Sequence, residues 1–468
     1  MWRNKKHFFV PFLMALCSVF SVLFFSACEN GTESDESVSL SNEQSSSFNE
    51  QGSSSKKQSS SSNKQSSSSK KQSSSSKKLF PDSLTPNDKE YPYAGIPRIV
   101  IETEERKEVN SLKTEIPAKL QIWDKKAESE VFDLTIRGRG NTSWELMPKK
   151  SYKIEFAKKQ SLLGMPKDKD WALIANYADK SLIRNYIAYS LSTSLGASYA
   201  PRCAFAELYL NGEYLGVYLL SETIKIAEKR VNIPKDDNSY IVEFDVKLRK
   251  GEQAVYSHVI NDKKFRVHDP KNASEAVLDT LRRFIEDVEN FLKEMSEKEK
   301  NEIEKWFDVE ESIKHYWVQE ITKNPDGGYF TSIYFTWVKG GKLKMGPVWD
   351  FDLAYGNSTN ESVNPIDNLM IRLCSWNKYL FRDSLYKAKT KAFWKENEKL
   401  IVDYLDTIES MKERLAKPAL NNFKRWNILP DTSGAWHPKH FEKYGDAVDD
   451  LKDWLSQRLK WIGAQKMN

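Results

Sequence analysis

In the first half of the fold, apolar and polar residues alternate over short segments. Within Ser151–Phe156 every second residue is apolar, and a period of two is typical of strands that bury one face. The segments Ala204–Leu210 and Glu213–Leu220 flank Asn211-Gly212, a pair that favours a type I′ hairpin turn. Further strands are predicted over Ile96–Glu102, Leu120–Trp123, Val131–Ile136 and Tyr240–Asp245. The pattern predicts a mainly antiparallel sheet.

Farther along the chain, the apolar residues follow helical spacing. Between Val277 and Met295 they recur every three or four positions, which predicts a long amphipathic helix. Helices are also predicted over Asp179–Leu195, with Asp179 as the N-cap, and over Val309–Ile321. From about residue 385 onward we expect helices rich in Trp and Lys, with a loop around residues 430–438. The predicted fold class is therefore α+β, with a mainly antiparallel sheet first and a helical C-terminal part.

Two acidic loops lie on either side of a predicted hairpin. Asp326 stands in the turn after the helix Val309–Ile321, and Asp350 follows the second strand of the hairpin. This order brings the two carboxylates to neighbouring ends of adjacent strands. Phosphoryl transfer needs such a pair, because one carboxylate orients the accepting hydroxyl and another holds the metal that binds the nucleotide phosphates.

Asp350 is also one of a close acidic pair. Asp352 stands two residues later, and both lie in an aromatic frame that includes Trp349 and Tyr355. Carboxylate oxygens are the hard ligands that Mg²⁺ and Mn²⁺ prefer, so Asp350 and Asp352 are candidate metal ligands. The alternative interpretation is a turn at the end of a sheet with solvated carboxylates, because so short a motif also occurs by chance.

Side chains suited to phosphate lie in one glycine-containing loop, at Arg137, Arg139 and Asn141. Lys153 stands in the middle of the next predicted strand and is a further candidate for phosphate contact, with Glu222 and Glu243 as candidate ion-pair partners. The alternatives are that the arginines pair with carboxylates and that Lys153 faces solvent. The loop has neither the Rossmann nor the Walker A spacing.

The first residues have the organisation of a secretory leader. Basic residues at positions 3, 5 and 6 precede the apolar run Phe8–Phe25 and then Ser26-Ala27-Cys28. Residues 1–28 are therefore predicted to be a signal peptide. Cys28 after Ser-Ala resembles a bacterial lipobox, which implies a lipid anchor and an exported lipoprotein of the cell envelope. A plain signal peptide and an uncleaved anchor are the alternatives.

Residues 29–90 precede the predicted fold, and from residue 29 to about residue 78 the chain is polar and dominated by serine. A seven-residue repeat begins at Lys56, Asn63 and Lys70, yet no apolar residue marks a core position. Such a segment buries too little surface to offset the entropy lost on ordering. We therefore predict a flexible tether that ends in a folded domain over residues 91–468. No later stretch is long and apolar enough to span a bilayer, so we expect this domain outside the cytoplasm.

Composition narrows the range of partners. The 71 basic and 66 acidic residues give a net charge of +5, and part of this excess lies in the tether, so nucleic acid is not favoured. The aromatic content of 12% suits both a well-packed exported domain and a sugar-binding surface. The folded part contains two cysteines, Cys203 and Cys374, for which a disulfide and two free thiols are both open.

The motifs together resemble the CotH family, the atypical kinases related to spore coat protein H. The segments that carry the resemblance are Arg137–Trp144, Pro148–Lys153, Trp171–Asn185, Leu210–Tyr218 and Pro347–Asp352, in that order. They span most of the chain from residue 97 to residue 461. The resemblance implies a diverged protein-kinase-like fold that binds ATP with Mg²⁺ or Mn²⁺ and phosphorylates protein serines. The serines of residues 59–76 are then predicted to be phosphorylated in cis.

The resemblance also implies roles for individual residues. Asp350 matches the metal-binding aspartate of the family and Asp326 the catalytic-loop aspartate, while Lys153 is the candidate phosphate-contacting lysine with Glu222 as its partner. Many members have Asn a few residues after the position of Asp326, where this chain has Thr331 and Ser332. A competing hypothesis is a catalytically weak or inactive surface module that binds polysaccharide or a partner protein.

Overall fold

Seven N-terminal strands close into a barrel because the first strand pairs on both of its edges. The computed structural model describes residues 84–125, 127–260, 262–295, 302–432 and 436–465. The first eight strands are β1 (Arg98–Thr103), β2 (Ile116–Asp124), β3 (Ala127–Glu128), β4 (Phe132–Arg139), β5 (Ser151–Gln160), β6 (Asp168–Ile174), β7 (Cys203–Leu210) and β8 (Glu213–Glu222). The order is β1-β7-β8-β6-β5-β4-β2, and β2 returns to β1. Only the β1–β7 pairing of this ring is parallel, and the short β3 extends β2.

The alternating residues of these strands fill the barrel. Its core contains the apolar positions that the period of two predicts, including Ile99, Ile101, Leu120, Ile136, Ile154, Phe156, Leu208 and Leu220. The predicted β7–β8 hairpin is confirmed, and Asn211 and Gly212 both have positive φ, 54° and 83°. A type I′ turn requires positive φ at both central residues. Local pattern and turn chemistry thus agree in this part of the fold.

A second, smaller sheet lies in the order β10-β11-β9-β12-β13. Its strands are β9 (Ser239–Phe244), β10 (Ala254–Ser257), β11 (Lys263–Asp269), β12 (Ile333–Val338) and β13 (Lys344–Met345). All of its pairings are antiparallel, and β9 is the central strand, between β11 and β12. Every residue of β9 is buried, so its one carboxylate, on Glu243, is buried as well.

Helices complete the fold, which is α+β as predicted. They are α1 (Thr142–Leu146), α2 (Arg184–Ser194), α3 (Glu275–Glu294), α4 (Ile303–Trp306), α5 (Val309–Thr322), α6 (Ser375–Leu380), α7 (Ser384–Asp403), α8 (Leu405–Arg425) and α9 (Tyr444–Ala464). Ser274 caps α3 and Asp308 caps α5 through their side chains. No helix in the described part of the chain is long and apolar enough to cross a membrane.

The prediction that a helix begins at Asp179 is wrong. Helix α2 begins at Arg184, because Leu182 has a φ of 63°, which a continuous right-handed helix excludes. The Asp179 carboxylate instead accepts hydrogen bonds from the backbone N–H groups of Ser181 and Arg184, at 2.9 and 2.8 Å. It therefore closes a turn that precedes the helix.

The structure describes Cys203 and Cys374 but not the leader. Cys203 is a free thiol, so the predicted alternative of a Cys203–Cys374 disulfide is wrong. Cys374 is disulfide-bonded, so the alternative of two free thiols is wrong as well. The predicted signal peptide with Cys28, and the serine-rich part of the predicted tether up to residue 83, lie outside the described residues.

The C-terminal helix fixes the region that precedes Asp326. Arg458 of α9 and Glu320 of α5 form an ion pair at 2.8 Å, and both side chains are fully buried. Arg458 also donates to the carbonyls of Ile366 and Asn368. The ammonium group of Lys323, at the end of α5, donates to the carbonyls of Pro365 and Asp367. These bonds hold the end of α5 and the loop beside it in one arrangement.

Candidate active site

A cavity of about 410 Å³ opens beside the loop that carries Asp350. Six of the residues predicted to form the site line it, namely Arg137, Arg139, Asn141, Asp326, Asp350 and Asp352. Lys153 and Glu222 are not among the lining residues. The volume lies in the range of cavities that bind small molecules and cofactors.

Helix α2 holds the backbone around Asp350. Asp350 has a φ of 65°, in the left-handed region that non-glycine residues rarely adopt. The next backbone N–H, of Phe351, donates to the side-chain carbonyl of Asn185 at 2.7 Å. Trp349 stacks on Tyr189 with ring centroids 5.5 Å apart. Unfavourable backbone geometry persists only where the surroundings fix it, as these contacts do.

Asn324 connects the two acidic loops. Asp326 lies in a short 3₁₀ helix, Pro325–Gly328, and its backbone N–H donates to the Asn324 side-chain oxygen at 3.3 Å. The Asn324 amide donates in turn to the backbone carbonyl of Asp350 at 3.3 Å. Gly327 fits here because a Cβ at that position would lie 2.7 Å from the Gln319 side-chain oxygen. The structure thus brings together the two aspartates that the sequence placed on adjacent loops.

The carboxylates in the cavity repel one another in a desolvated setting. Burial, and then the negative charge of Asp350, raise the pKa of Asp326 to about 7. Burial followed by the charges of Asp350 and Asp326 raises the pKa of Asp352 well above its usual value. Burial also raises the pKa of Asp350, although Arg139 and Lys247 oppose this effect. A bound cation would relieve this repulsion.

Two cationic side chains face these carboxylates. The Arg139 guanidinium lies 4.6 Å from the centroid of the Trp349 ring and opposes the rise in the pKa of Asp350. The Lys247 ammonium donates to the Thr142 hydroxyl at 2.8 Å and opposes the rise in the pKa of both Asp326 and Asp350. Sequence reasoning missed Lys247. The feature of the sequence that could have identified Lys247 is its place two residues beyond the predicted strand Tyr240–Asp245.

Lys153 has a different environment from the one predicted. Its ammonium pairs with Glu155 at 2.8 Å and with Asp170 at 2.9 Å, and not with Glu222 or Glu243. The antiparallel register of β5 and β6 is the reason, because Glu155 lies opposite Asp170 and both carboxylates come within reach of Lys153. The predicted ion pair between Lys153 and Glu222 is therefore wrong, and Lys153 does not line the cavity.

Glu222 is occupied elsewhere. It is fully buried at the end of β8 and accepts hydrogen bonds from the Arg202 guanidinium at 2.8 Å and the Tyr199 hydroxyl at 3.2 Å. A different lysine, Lys149, lines the cavity just before β5. Its buried ammonium donates to the carbonyl of Val217 at 2.6 Å and to the Asn422 side chain at 3.0 Å, and burial lowers its pKa well below the usual value.

The remaining predicted residues lie at the wall of the cavity. The Arg137 guanidinium donates to the backbone carbonyl of Leu112 at 2.7 Å and lies 3.7 Å from the Glu115 carboxylate. Pairing with a carboxylate, the alternative role predicted for the arginines, is therefore present at Arg137. The backbone carbonyl of Asn141 accepts the first hydrogen bonds of α1, from Trp144 and Glu145. Asn141 therefore begins the short helix that borders the cavity.

The CotH kinase protein family model matches residues 136–462. The chain belongs to the CotH kinase family. The match includes the Arg137–Asn141 loop, both acidic loops and all helices up to α9. No curated protein matches the chain at a significant level.

The resemblance to the family led us to expect Asn a few residues after Asp326, and this CotH protein has Thr331 and Ser332 there. The Thr331 hydroxyl donates to the Asp245 carboxylate at 3.3 Å, and the backbone N–H of Ser332 donates to the Glu243 carboxylate at 3.0 Å. Both residues therefore contact carboxylates of the protein.

No group of three or more His, Cys, Asp or Glu side chains among the described residues of the CotH domain is arranged to hold a metal ion. A Mg²⁺ ion that also binds phosphate oxygens needs only one or two protein carboxylates. Asp350 with Asp352 or Asp326 meets that smaller requirement, and the repulsion among the three carboxylates favours a cation.

Proposed function

We propose that this CotH protein transfers the terminal phosphoryl group of ATP to serine hydroxyls of a protein. The observation that carries the proposal is the position of Asp326, a carboxylate with a pKa near 7, beside Asp350 in a cavity that Arg139 and Lys247 also border. A general base works best when its pKa lies near the working pH. Cations and carboxylates on one cavity suit a polyphosphate that binds through a divalent metal.

Asp326 serves as the base in this proposal. It accepts the proton of the serine hydroxyl while the serine oxygen forms a bond to the terminal phosphorus, and the bond between that phosphorus and the bridging oxygen breaks to release ADP. Asp350, assisted by Asp352, would hold Mg²⁺ or Mn²⁺. When bound, such an ion offsets the negative charge of the phosphates.

In the proposal, side chains of this chain supply the positive charge that binds the ATP phosphates. Arg139 and Lys247 are the principal phosphate-binding cations in the proposal, and Arg137 and Asn141 border the same cavity. The order of a β-rich part followed by a helical part is compatible with a diverged protein-kinase-like fold. The protein would catalyse the transfer by positioning the reactants and by stabilising charge, because phosphoryl transfer needs little covalent chemistry from the protein.

The location and the substrate are parts of the same proposal. The leader and Cys28 support an exported lipoprotein held at a membrane by its lipid, with the serine-rich tether between the anchor and the CotH domain. A serine-rich protein is the proposed substrate, and the tether itself offers such serines at residues 59–76.

The test is transfer of labelled phosphate from ATP in the presence of Mn²⁺ or Mg²⁺. Wild type should label protein, whereas Asp326→Asn and Asp350→Ala should lose activity by roughly 100-fold or more, the range for removal of a general base. Asp326→Asn should still bind a non-hydrolysable ATP analogue, and Asp350→Ala should bind it more weakly. Equal labelling by wild type and Asp350→Ala, or none by either, would overturn the proposal. Polysaccharide or partner binding that survives in Asp350→Ala would favour the binding module.

A further inference from the structure

A buried amide behind the cavity holds Asn324, the side chain that connects the two acidic loops. Gln319 lies in α5, three residues before its end, and is fully buried. Its side-chain oxygen Oε1 accepts a hydrogen bond from the Asn324 amide at 3.0 Å. Its side-chain nitrogen Nε2 lies 3.4 Å from the His315 ring nitrogen Nε2, one helical turn earlier. Both polar atoms of the Gln319 side chain are therefore used within the protein.

Only one orientation of the Asn324 amide can join the two loops. Its nitrogen donates to the Asp350 carbonyl and its oxygen accepts the Asp326 N–H, both at 3.3 Å. A carbonyl oxygen can only accept a hydrogen bond, and a backbone N–H can only donate one. If the amide rotated by half a turn, two donors would face each other at Asp326 and two acceptors at Asp350. The connection between the loops therefore depends on the orientation of one amide.

Gln319 enforces that orientation from within α5. Its Oε1 atom can only accept, so the part of Asn324 that faces it must be the amide nitrogen. His315 fixes Gln319 in turn, because the Gln319 nitrogen can only donate and the imidazole nitrogen that faces it must accept. An accepting imidazole is neutral, and burial lowers the pKa of His315 to about 4. Donors and acceptors thus match from His315 to both acidic loops.

The turn that carries Asp326 also packs directly on the Gln319 side chain. A Cβ atom added at Gly327 would lie 2.7 Å from the Gln319 side-chain oxygen, so the glycine permits a close approach. The backbone carbonyl of Gln319 accepts the N–H of Asn324 at 3.2 Å, and the carbonyl of Asn324 accepts the N–H of Gly327 at 3.0 Å. Gln319 therefore contacts both Asn324 and the Asp326 turn.

We propose that Gln319 is a positioning residue, which holds the Asn324 amide in the orientation that sets the Asp326 turn against the Asp350 loop. This role rests on the proposed function, in which Asp326 is the base and Asp350 binds the metal. The base and the metal ligand must keep a fixed separation, because small displacements of reacting groups have large effects on rate. Gln319 is not among the residues that line the cavity, so it acts through Asn324.

Packing alone does not require an amide at this position. A buried amide costs free energy unless its polar atoms are bonded, and an apolar side chain such as Leu would fill similar space without that cost. The two bonds from Asn324 to the loops, at 3.3 Å, are longer than the usual value of about 2.9 Å. They restrain the loops only if the Asn324 amide is itself held still. The shorter bond to Gln319 supplies that support.

The first test is steady-state transfer of labelled phosphate by Gln319→Leu. Its kcat should fall about 10-fold or more, because the Asp326 turn loses its support. Its KM for ATP with Mn²⁺ should stay within about 3-fold of wild type, because Asn185 still holds the Asp350 loop from α2. Gln319→Leu combined with Asn324→Ala should have the kcat of Asn324→Ala alone, because the two residues act in series.

A matched control lies in the barrel. Gln121 of β2 is also buried, with 8% of its surface exposed, and its amide donates to the Ser129 carbonyl at 2.9 Å. Gln121→Leu removes a buried amide that does not contact the acidic loops, so it should leave kcat unchanged. An unchanged kcat in Gln319→Leu, an equal fall in Gln121→Leu, or losses that multiply in the double variant would overturn the inference.

A second measurement needs neither ATP nor metal and separates this inference from the proposed function. Hydrogen exchange of the backbone N–H groups of residues 324–328 should be about 10-fold faster or more in Gln319→Leu than in wild type. The N–H of Phe351, which Asn185 holds, should keep its rate. This result would support the positioning role even if the wild-type protein transfers no phosphate. Unchanged exchange at residues 324–328 would overturn the role even if the protein is an active kinase.

Discussion

The side-chain carbonyl of Asn185 accepts the backbone N–H of Phe351 at 2.7 Å, which ties helix α2 to the loop that carries Asp350. The Asn185 amide donates to the side-chain oxygen of Asn176 at 3.1 Å, just after β6. One asparagine thus links the barrel, α2 and the proposed metal ligand. The left-handed conformation of Asp350 follows from this tether and from the stacking of Trp349 on Tyr189.

Asn185→Ala should impair activity more than stability. The buried N–H of Phe351 would lose its partner, at a cost of about 1–3 kcal/mol, and Asp350 would lose a main-chain restraint. We expect phosphate transfer to fall at least about 10-fold, because small displacements at a reactive site have large effects on rate. Denaturant unfolding and labelled ATP measure the two effects. Thr193→Ala, on an exposed side of α2, is the control and should change neither.

Lys247→Met should reduce kcat/KM for ATP by roughly 10- to 100-fold, since a charge-assisted contact to phosphate is lost. Lys153→Met should leave kcat/KM within about 2-fold, because Lys153 pairs with Glu155 and Asp170 and does not line the cavity. Steady-state kinetics at saturating Mn²⁺ distinguishes the two. A larger loss in Lys153→Met than in Lys247→Met would restore the role first predicted for Lys153.

Asp326→Asn should stabilise the protein at pH 8 while it abolishes transfer. The pKa of Asp326 is about 7 in the folded protein, whereas the ordinary pKa of an aspartate is 3.8. The folded state therefore favours the protonated form, so stability from this group is present below pH 3.8 and is lost as the pH rises through 7. The Asn side chain of the variant does not ionise, so the variant keeps the stability that wild type loses as the pH rises. We expect a gain on the order of 4 kcal/mol at pH 8, since each unit of pKa difference corresponds to about 1.4 kcal/mol.

The gain from Asp326→Asn should vanish near pH 3.8, where the native carboxyl is already protonated. Thermal unfolding across the pH range measures it, with exposed Asp133→Asn as the matched control. An equal gain at both ends of the range would show that charge is not its cause.

Arg458→Met should destabilise the domain by about 3–5 kcal/mol, because it leaves the fully buried charge of Glu320 without its partner. Arg458→Met combined with Glu320→Gln should recover part of that loss. Denaturant unfolding measures both variants, and Lys460→Met on the exposed side of α9 is the control, expected within about 0.5 kcal/mol of wild type. A loss under 1 kcal/mol in Arg458→Met would contradict this account of how α9 fixes the end of α5.

The elements that the sequence predicted correctly are those with a strong local period. Ser151–Phe156 lies within β5, Val277–Met295 corresponds to α3, and Val309–Ile321 lies within α5. Asn211-Gly212 forms the turn between β7 and β8. In each case the signal lies within a few residues, so the surrounding fold adds little to it.

The predictions that failed concern pairings across the fold. Glu222 was a reasonable partner for Lys153 by charge, but the register of β5 and β6 offers Glu155 and Asp170 at shorter range. No local motif marks Lys247, because its role depends on its position relative to Asp326 and Asp350 in the packed fold. The parallel β1–β7 pairing, which closes the barrel, joins segments too far apart for any local pattern to predict.

The sequence alone determined the α+β class, most strands and helices, the acidic loops at Asp326 and Asp350, and the resemblance to CotH proteins. These follow from hydrophobic period, turn residues and motif order, all of which are local. Only the tertiary structure decided which charges meet in the cavity and which hydrogen bonds orient Asp350. Electrostatic and hydrogen-bond interactions depend on distances of a few ångströms between residues far apart in the chain, and only the packed fold fixes those distances.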